Sequence, residues 1–217
     1  MVRPRTAPRQ QRSRETYERV LDVAAEIFQK FGYAGTTTNK VAEAAGISIG
    51  TLYHYIPDKD ALLYSLTERH MASGVDSVMS VFMRLRQEGP GLEESLRAII
   101  GLVVQMHVDE RHLHHLLYDS APRSEELQKR LHDADVAMAD EVSWHLKRLD
   151  VGGQHRRLVA SLLVTGVEAQ VHRATLDPVE PVSAEVLTDV LTELWTKALK
   201  IDAGEGTSGQ DPADRFP

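Results

Sequence analysis

Thr38-Asn39-Lys40-Val41-Ala42-Glu43-Ala44-Ala45-Gly46-Ile47-Ser48-Ile49-Gly50-Thr51-Leu52-Tyr53-His54-Tyr55 holds two short helical patterns on either side of Gly46-Ile47-Ser48. A short glycine-containing turn between two helices is the chemistry of a helix-turn-helix. Val41, Ala42, Ala45, Ile47 and Leu52 are apolar or small and suit a buried side packed on a further helix. Ser48, Gly50, Thr51, Tyr53, His54 and Tyr55 are small or hydrogen-bonding. A helix presenting them can enter the major groove of a duplex and meet base edges and phosphates. Two-helix turns also occur in many other globular proteins, so the flanking sequence has to be read with this one.

Upstream, Tyr17, Val20, Leu21, Ala24, Ile27, Phe28 and Phe31 fall at the spacing of one helical face over residues 14–31, with Gly32 in the C-cap position. Thr36-Thr37-Thr38 supplies an N-cap for the second helix. Downstream, Pro57 ends the third, and Asp58 can cap a fourth that starts at Lys59 and runs to about Arg86. Gly89-Pro90-Gly91 breaks the chain. Further helical patterns cover residues 92–108, 111–118, 124–149, 154–176 and 183–201. Prolines lie between these stretches and β-type alternation is scarce, so the fold class is all-α with about nine helices. The last helix has the cleanest apolar stripe, Leu187, Val190, Leu191, Leu194, Trp195 and Ala198. In the helix before it, Gly166 leaves room for a close helix approach. The Gly/Asp/Ser/Pro-rich stretch from Ala203 reads as a disordered tail.

Composition narrows the classes. The chain is 42% hydrophobic and 26% charged, ordinary for a folded globular protein. No apolar run approaches the ~18 residues of a membrane span, and the Arg/Pro-rich start is not followed by the apolar stretch of a secretory signal. Cysteine is absent, which excludes disulfides, thiolate zinc sites and Cys nucleophiles, and a reducing cytoplasmic location fits. The net charge of −7 is unevenly spread. Residues 1–60 carry nine Lys and Arg against seven Asp and Glu, and the remainder carries 16 against 25. Arg3, Arg5, Arg9, Arg12 and Arg14 form a basic arm free of acids. Such asymmetry suits either a nucleic-acid contact or a solvated tail.

Taken in order, Phe28-Gln29-Lys30-Phe31-Gly32-Tyr33-Ala34-Gly35-Thr36-Thr37-Thr38, Val41 to Ser48, Gly50 to Tyr55 and Pro57-Asp58-Lys59-Asp60-Ala61-Leu62 strongly resemble the DNA-binding domain of the TetR/AcrR family of bacterial transcriptional regulators. The resemblance covers about residues 14–65 in order and spacing. It implies a three-helix DNA-binding head on a larger helical ligand-binding and dimerisation body. The implied organisation is a basic flexible arm over residues 1–13, the helix-turn-helix domain over 14–57, the body over 58–202 and the tail over 203–217. By similarity, Thr37 and Thr38 would bond phosphate, Ser48, Gly50 and Thr51 would front the recognition helix, Tyr53, His54 and Tyr55 would meet bases or backbone, and Lys59 would grip a phosphate. Ile49 departs from the polar reader of some members, and either meets a thymine methyl or packs. The arm either enters a neighbouring minor groove or adds only non-specific attraction.

Homodimerisation through the last two helices follows from the resemblance, and two heads double the contacts a single half-site offers. The expected partners are an operator duplex and a small lipophilic effector, with no membrane, no cofactor and no catalytic residues. Met79, Phe82, Met83, Met106, Leu117, Tyr118, Met138 and Trp144 are candidate effector contacts, since methionines and aromatics suit adaptable apolar sites, although each equally suits ordinary core. The expected activity is a repressor released by its effector; an activator of the same fold, or an interaction module with a degenerate head, are the alternatives. His107, His112, His114 and His115 cluster, and His112, His115 and Asp119 share a helical face. That spacing suits a transition metal; the alternative is that these histidines titrate at a polar surface or line the pocket as hydrogen-bond partners, and with further ligands not visible no metal site is assigned. Gly204-Glu205-Gly206-Thr207-Ser208-Gly209 matches a dinucleotide-binding pattern but lacks the strand before it and the helix after it.

Overall fold

The structure, a computed structural model, describes residues 11–120 and 124–200, with the side chains of 118–120 left aside. The arm as far as residue 10, the tail and the glycine motif at 204–209 lie outside the described residues, as does the side chain of Tyr118. The described residues form nine α-helices: α1 Gln11–Gly35, α2 Thr38–Ala44, α3 Ile49–Tyr55, α4 Lys59–Glu88, α5 Leu92–Asp109, α6 Arg111–Ser120, α7 Glu125–Arg148, α8 Arg156–Leu176 and α9 Ala184–Lys200. The first begins three residues before the expected position, so residues 11–13 of the expected arm are helical.

Side-chain caps set several starts. Thr37, Ser48, Asp58 and Ser124 accept from the backbone N–H three residues on, at 3.3, 3.0, 2.8 and 3.0 Å. Each such cap stabilises its helix by about 1 kcal/mol. Gly32 has φ +66° and ψ 178°, a conformation costly for any other residue, and it breaks the helical path of α1 where a C-cap was expected. The short segment after it turns Thr36 inward, where the buried hydroxyl bonds back to the Gly32 carbonyl at 2.8 Å.

Two hydrophobic cores result. In the first, Val20, Leu21, Ala24 and Phe28 of α1 meet Val41 and Ala42 of α2, Leu52 of α3 and the start of α4 at Leu62, Leu63 and Leu66. Leu113 and Leu117 of α6 belong to this same core. In the second, Val78 and Phe82 of α4 join Ile100 and Val104 of α5, Val142 and Leu146 of α7 and Leu163, Val167 and Val171 of α8. The long α4 therefore runs from one core to the other.

Helix α7 lies along α8, and α5 along α9, whereas α8 and α9 touch each other sparsely. Their outer faces keep Leu158, Leu162, Val190 and Leu194 half or more exposed. The stripe expected on α9 is thus divided: Leu191 is buried and Leu187 packs on the second core, while Val190 and Leu194 look outward. Where α8 and α9 do meet, Gly166 faces the Trp195 indole, whose Nε1 donates to Gln170 Oε1 at 3.0 Å.

Candidate nucleic-acid interface and effector cavity

The turn between α2 and α3 is closed by backbone bonds. The Ala45 N–H donates to the Val41 carbonyl at 2.9 Å and the Ile47 N–H to the Ala42 carbonyl at 3.0 Å. Gly46 sits at φ +65°, where a side chain would be strained. Leu52 is fully buried, and this anchors α3 and turns Gly50, Thr51, Tyr53 and His54 to solvent. The Tyr53 hydroxyl lies 3.2 Å from Thr38 Oγ1, which ties the recognition helix to the start of α2. Thr37, Ser48 and the half-buried Thr38 stand beside that face.

Three of the expected contact residues have other partners in the free chain. Ile49 packs on the first core. Tyr55 is half-buried, with its hydroxyl donating to Ser13 Oγ at 3.2 Å and its ring edge-on to Tyr17. It braces α3 on α1 rather than facing outward. The Lys59 ammonium donates to the Tyr33 carbonyl at 2.8 Å and lies 4.0 Å over the Tyr33 ring. The Tyr33 hydroxyl in turn donates to Asp60, and that bond pushes its pKa up to about 12. Sequence reasoning passed over exposed Lys40, whose ammonium donates to the Gly35 carbonyl at 2.8 Å. Its signal was a cation in the first turn of α2, three residues after the Thr37 cap.

Behind the head, a cavity of about 490 Å³ opens between α4, α5, α6, α7 and α8. One end is apolar, with Met71, Val75, Val78, Val103, Met106 and Met138 among its walls. Of the candidates named from sequence, Met106, Leu117 and Met138 line it. The others described do not. Phe82 is 1% exposed in the second core and stacks on His145. Met79 packs against that core. Met83 is 61% exposed, and Trp144 faces outward with the Arg86 guanidinium 4.1 Å over its ring. The reason is helical phase. The stretch of α4 facing the cavity ends at Val78, and one turn later the helix packs on α7.

The other end of the cavity is polar, and two histidines of the cluster read from the sequence, His107 and His114, line it. His70 of α4, His107 of α5, His114 of α6 and Glu168 and His172 of α8 all border it. His107 is 3% exposed, with Nδ1 2.9 Å from the Val103 carbonyl and Nε2 3.3 Å from Glu168 Oε1. Its ring stacks on His114 at 4.2 Å and meets His172 edge-on at 5.9 Å. His70 places Nδ1 2.9 Å from Glu110 Oε2 and Nε2 3.0 Å from His114 Nε2.

Burial lowers the pKa of His70 against the pull of Glu110. Burial, with His107 and His70 alongside, pushes His114 down to about 3. Burial also opposes charge on His107 and Glu168, but each holds the other's charged form, so His107 is raised and Glu168 lowered. His107, Glu168 and His172 bring one ligand atom each to within 4.8 Å of one another. The face expected from sequence, His112 with His115, is exposed instead, because the chain breaks at Glu110 and α6 restarts in a new phase.

Comparison with known proteins matches residues 20–66 to the family described as bacterial regulatory proteins, tetR family. An HTH-type transcriptional regulator of Staphylococcus aureus (strain USA300) is 24% identical over 101 residues, 46% of this chain and 52% of that protein. The match thus spans about half the length of the curated relatives. Over the whole fold, the fatty acid degradation regulator FadR from Bacillus halodurans superposes with a TM-score of 0.64 at 20% identity, covering 85% of this chain and 96% of the other. The transcriptional regulator FadR from Bacillus subtilis, solved in complex with stearoyl-CoA, gives 0.62 at 19% identity, covering 82% and 97%. At that identity the likeness is one of fold. No helix among the described residues is long and apolar enough to cross a membrane.

Proposed function

We propose that this chain, which carries the tetR-family DNA-binding head over residues 20–66, is a transcriptional regulator that acts as a homodimeric repressor, released from a palindromic operator by a small, largely apolar effector. The observation that carries this reading is the position of α6. Its Leu113 and Leu117 belong to the core of the head, while His114 and the same Leu117 line the cavity. A ligand that displaces α6 also displaces the floor on which α1 rests.

The effector acts through differential affinity. It shifts the population only to the extent that it binds one spacing of the two heads better than the other. The apolar wall of methionine, valine and leucine suits a hydrocarbon ligand, and the Bacillus subtilis neighbour's complex with stearoyl-CoA is a precedent for an acyl ligand in this fold. The unpartnered apolar faces of α8 and α9 supply what a two-fold interface needs. On DNA, Thr38, Ser48, Gly50, Thr51, Tyr53 and His54 form the contact face, with Thr37 and Lys59 on phosphate.

The test is fluorescence anisotropy with the duplex upstream of the chain's own gene, at two salt concentrations, with and without a panel of apolar carboxylates and acyl thioesters. The expected result is specific binding that weakens steeply with salt, is reduced by Tyr53→Ala, and is relieved by at least one compound. Binding no tighter than to a scrambled duplex would refute the operator reading. Specific binding that no compound relieves would refute release by an apolar ligand.

A further inference from the structure

The polar end of the cavity has the composition of a metal site. Glu168 and His172 stand one turn apart on α8 and face His107 across the gap to α5. Their three ligand atoms fall within 4.8 Å of one another.

His107 is already oriented as a ligand. Its Nδ1–H donates to the Val103 carbonyl one turn back in the same helix, which leaves the lone pair on Nε2. Metal-bound histidines are commonly held this way, through the ring nitrogen that does not touch the ion. The residue is 3% exposed, and its Nε2 faces Glu168 Oε1 at 3.3 Å. A neutral imidazole nitrogen and a carboxylate oxygen that face each other repel unless a proton or a metal ion lies between them. A proton would suffice for that pair alone. The second nitrogen, from His172, on the same small space favours an ion.

His70 repeats the arrangement: its Nδ1 is tied to the Glu110 carboxylate and its Nε2 is turned to His114. His114 stacks directly on the His107 ring. The neighbourhood is therefore rich in imidazole and, with the chain lacking cysteine, offers no thiolate.

We propose that His107 Nε2, the Glu168 carboxylate and His172 bind a zinc-class divalent transition-metal ion at the polar end of the cavity. Two imidazoles and a carboxylate suit Zn(II), Co(II) or Ni(II), whereas Mg(II) and Ca(II) select all-oxygen sets. Ligands at about 2.1 Å from a tetrahedral ion stand roughly 3.4 Å apart, so the site closes slightly on loading. Glu168 and His172 make that adjustment, because Glu168 is exposed to the cavity and His172 is half-buried, while His107 is locked in place. The remaining coordination position faces the cavity, open to water or to an oxygen of a bound molecule. The site shares the cavity with the effector reading but does not rest on it, since the ion binds the free protein.

The test is isothermal titration of the full chain, without a polyhistidine tag and after chelator dialysis, with Zn(II), Co(II) and Mg(II) in turn and no DNA present. The expected result is one Zn(II) per chain, a Co(II) visible spectrum of low-coordinate type, and no Mg(II) binding. Glu168→Gln and His172→Ala each weaken Zn(II) at least about tenfold and abolish the Co(II) spectrum, in line with the loss seen even for outer ligand partners. Both sites are accessible enough to change without emptying a core, and thermal unfolding verifies that the variants fold. The surface pair His112→Ala with His155→Ala keeps wild-type affinity. Absence of stoichiometric Zn(II) binding overturns the proposal. So does Zn(II) affinity that survives Glu168→Gln and His172→Ala, or that is lost in the surface pair.

Discussion

Adding a single methyl group to Gly166 tests how tightly α8 and α9 are joined. A Cβ built there comes within 2.9 Å of Trp195 Cζ2 and 3.4 Å of Cη2. Carbon atoms in contact prefer about 3.5–4.0 Å, so the indole has to retreat by roughly 0.6–1 Å. The ring is rigid, and the 3.0 Å bond from Nε1 to Gln170, next to Cζ2 on the same edge, holds it in place. Overpacking of this kind costs about 1–3 kcal/mol, and weakening the hydrogen bond adds up to about 1 kcal/mol. Against this, alanine favours a helix interior over glycine by about 1 kcal/mol. These terms leave about 0–3 kcal/mol, and with the 2.9 Å approach against a fixed ring the expected net for Gly166→Ala is a loss near the middle of that range. Gly101 of α5 supplies the control. Its added Cβ meets only Thr188 Cγ2, at an ordinary 3.5 Å, so Gly101→Ala gains the helix term and stabilises by up to about 1 kcal/mol. Urea unfolding followed by circular dichroism, at one fixed protein concentration, reads both signs. Stability in Gly166→Ala equal to or above wild type would refute the close approach of the two helices.

Three further outcomes are expected. Lys59→Ala lowers operator affinity on all sequences alike and reduces the slope of log K against log salt by about 1; an unchanged slope would mean that the ammonium stays on the Tyr33 carbonyl. Burial, with Arg148 and Arg86 nearby, lowers the pKa of His145, so its unfolded form binds a proton more readily and stability falls as pH drops below the ordinary value of about 6.5. His145→Phe then makes the acid limb of a stability–pH curve shallower than in wild type, and an equal or steeper limb would contradict this. Leu162→Glu combined with Val190→Glu, on the exposed faces of α8 and α9, shifts sedimentation to the monomer and weakens operator binding; a dimer that persists would place the interface elsewhere.

What was legible in the sequence was local. Thr37 and Asp58 cap the helices for which their side chains suit them, and Gly46 occupies the positive φ its turn requires. These signals operate within four residues, so the head and the helix order could be read directly. The cavity could not, because α4 buries different faces against the head, the cavity and α7 in succession. A periodic pattern reports that a residue is apolar and not which neighbour it meets. Phe82 and Met83 were named for their chemistry and lie one turn beyond the opening. The histidines were legible only in part, for the opposite reason. His107 and His114 looked like members of one sequence cluster, yet their partners His70 and His172 come from α4 and α8, and only the packing of four helices unites them.

The double membership of α6 bears on how such proteins exchange parts. Leu113 and Leu117, from the middle of the chain, complete the core beneath the recognition helix. Deleting one buried leucine side chain typically costs about 2–5 kcal/mol, out of a total stability of roughly 5–15 kcal/mol. A head cut out after the first turns of α4 loses both, and a head joined to a foreign body inherits whatever residues that body places there. The DNA-reading unit is therefore contiguous in sequence but not in space. A chimera that carries Leu113 and Leu117 along with residues 11–66 keeps its floor, and one spliced at the sequence boundary does not.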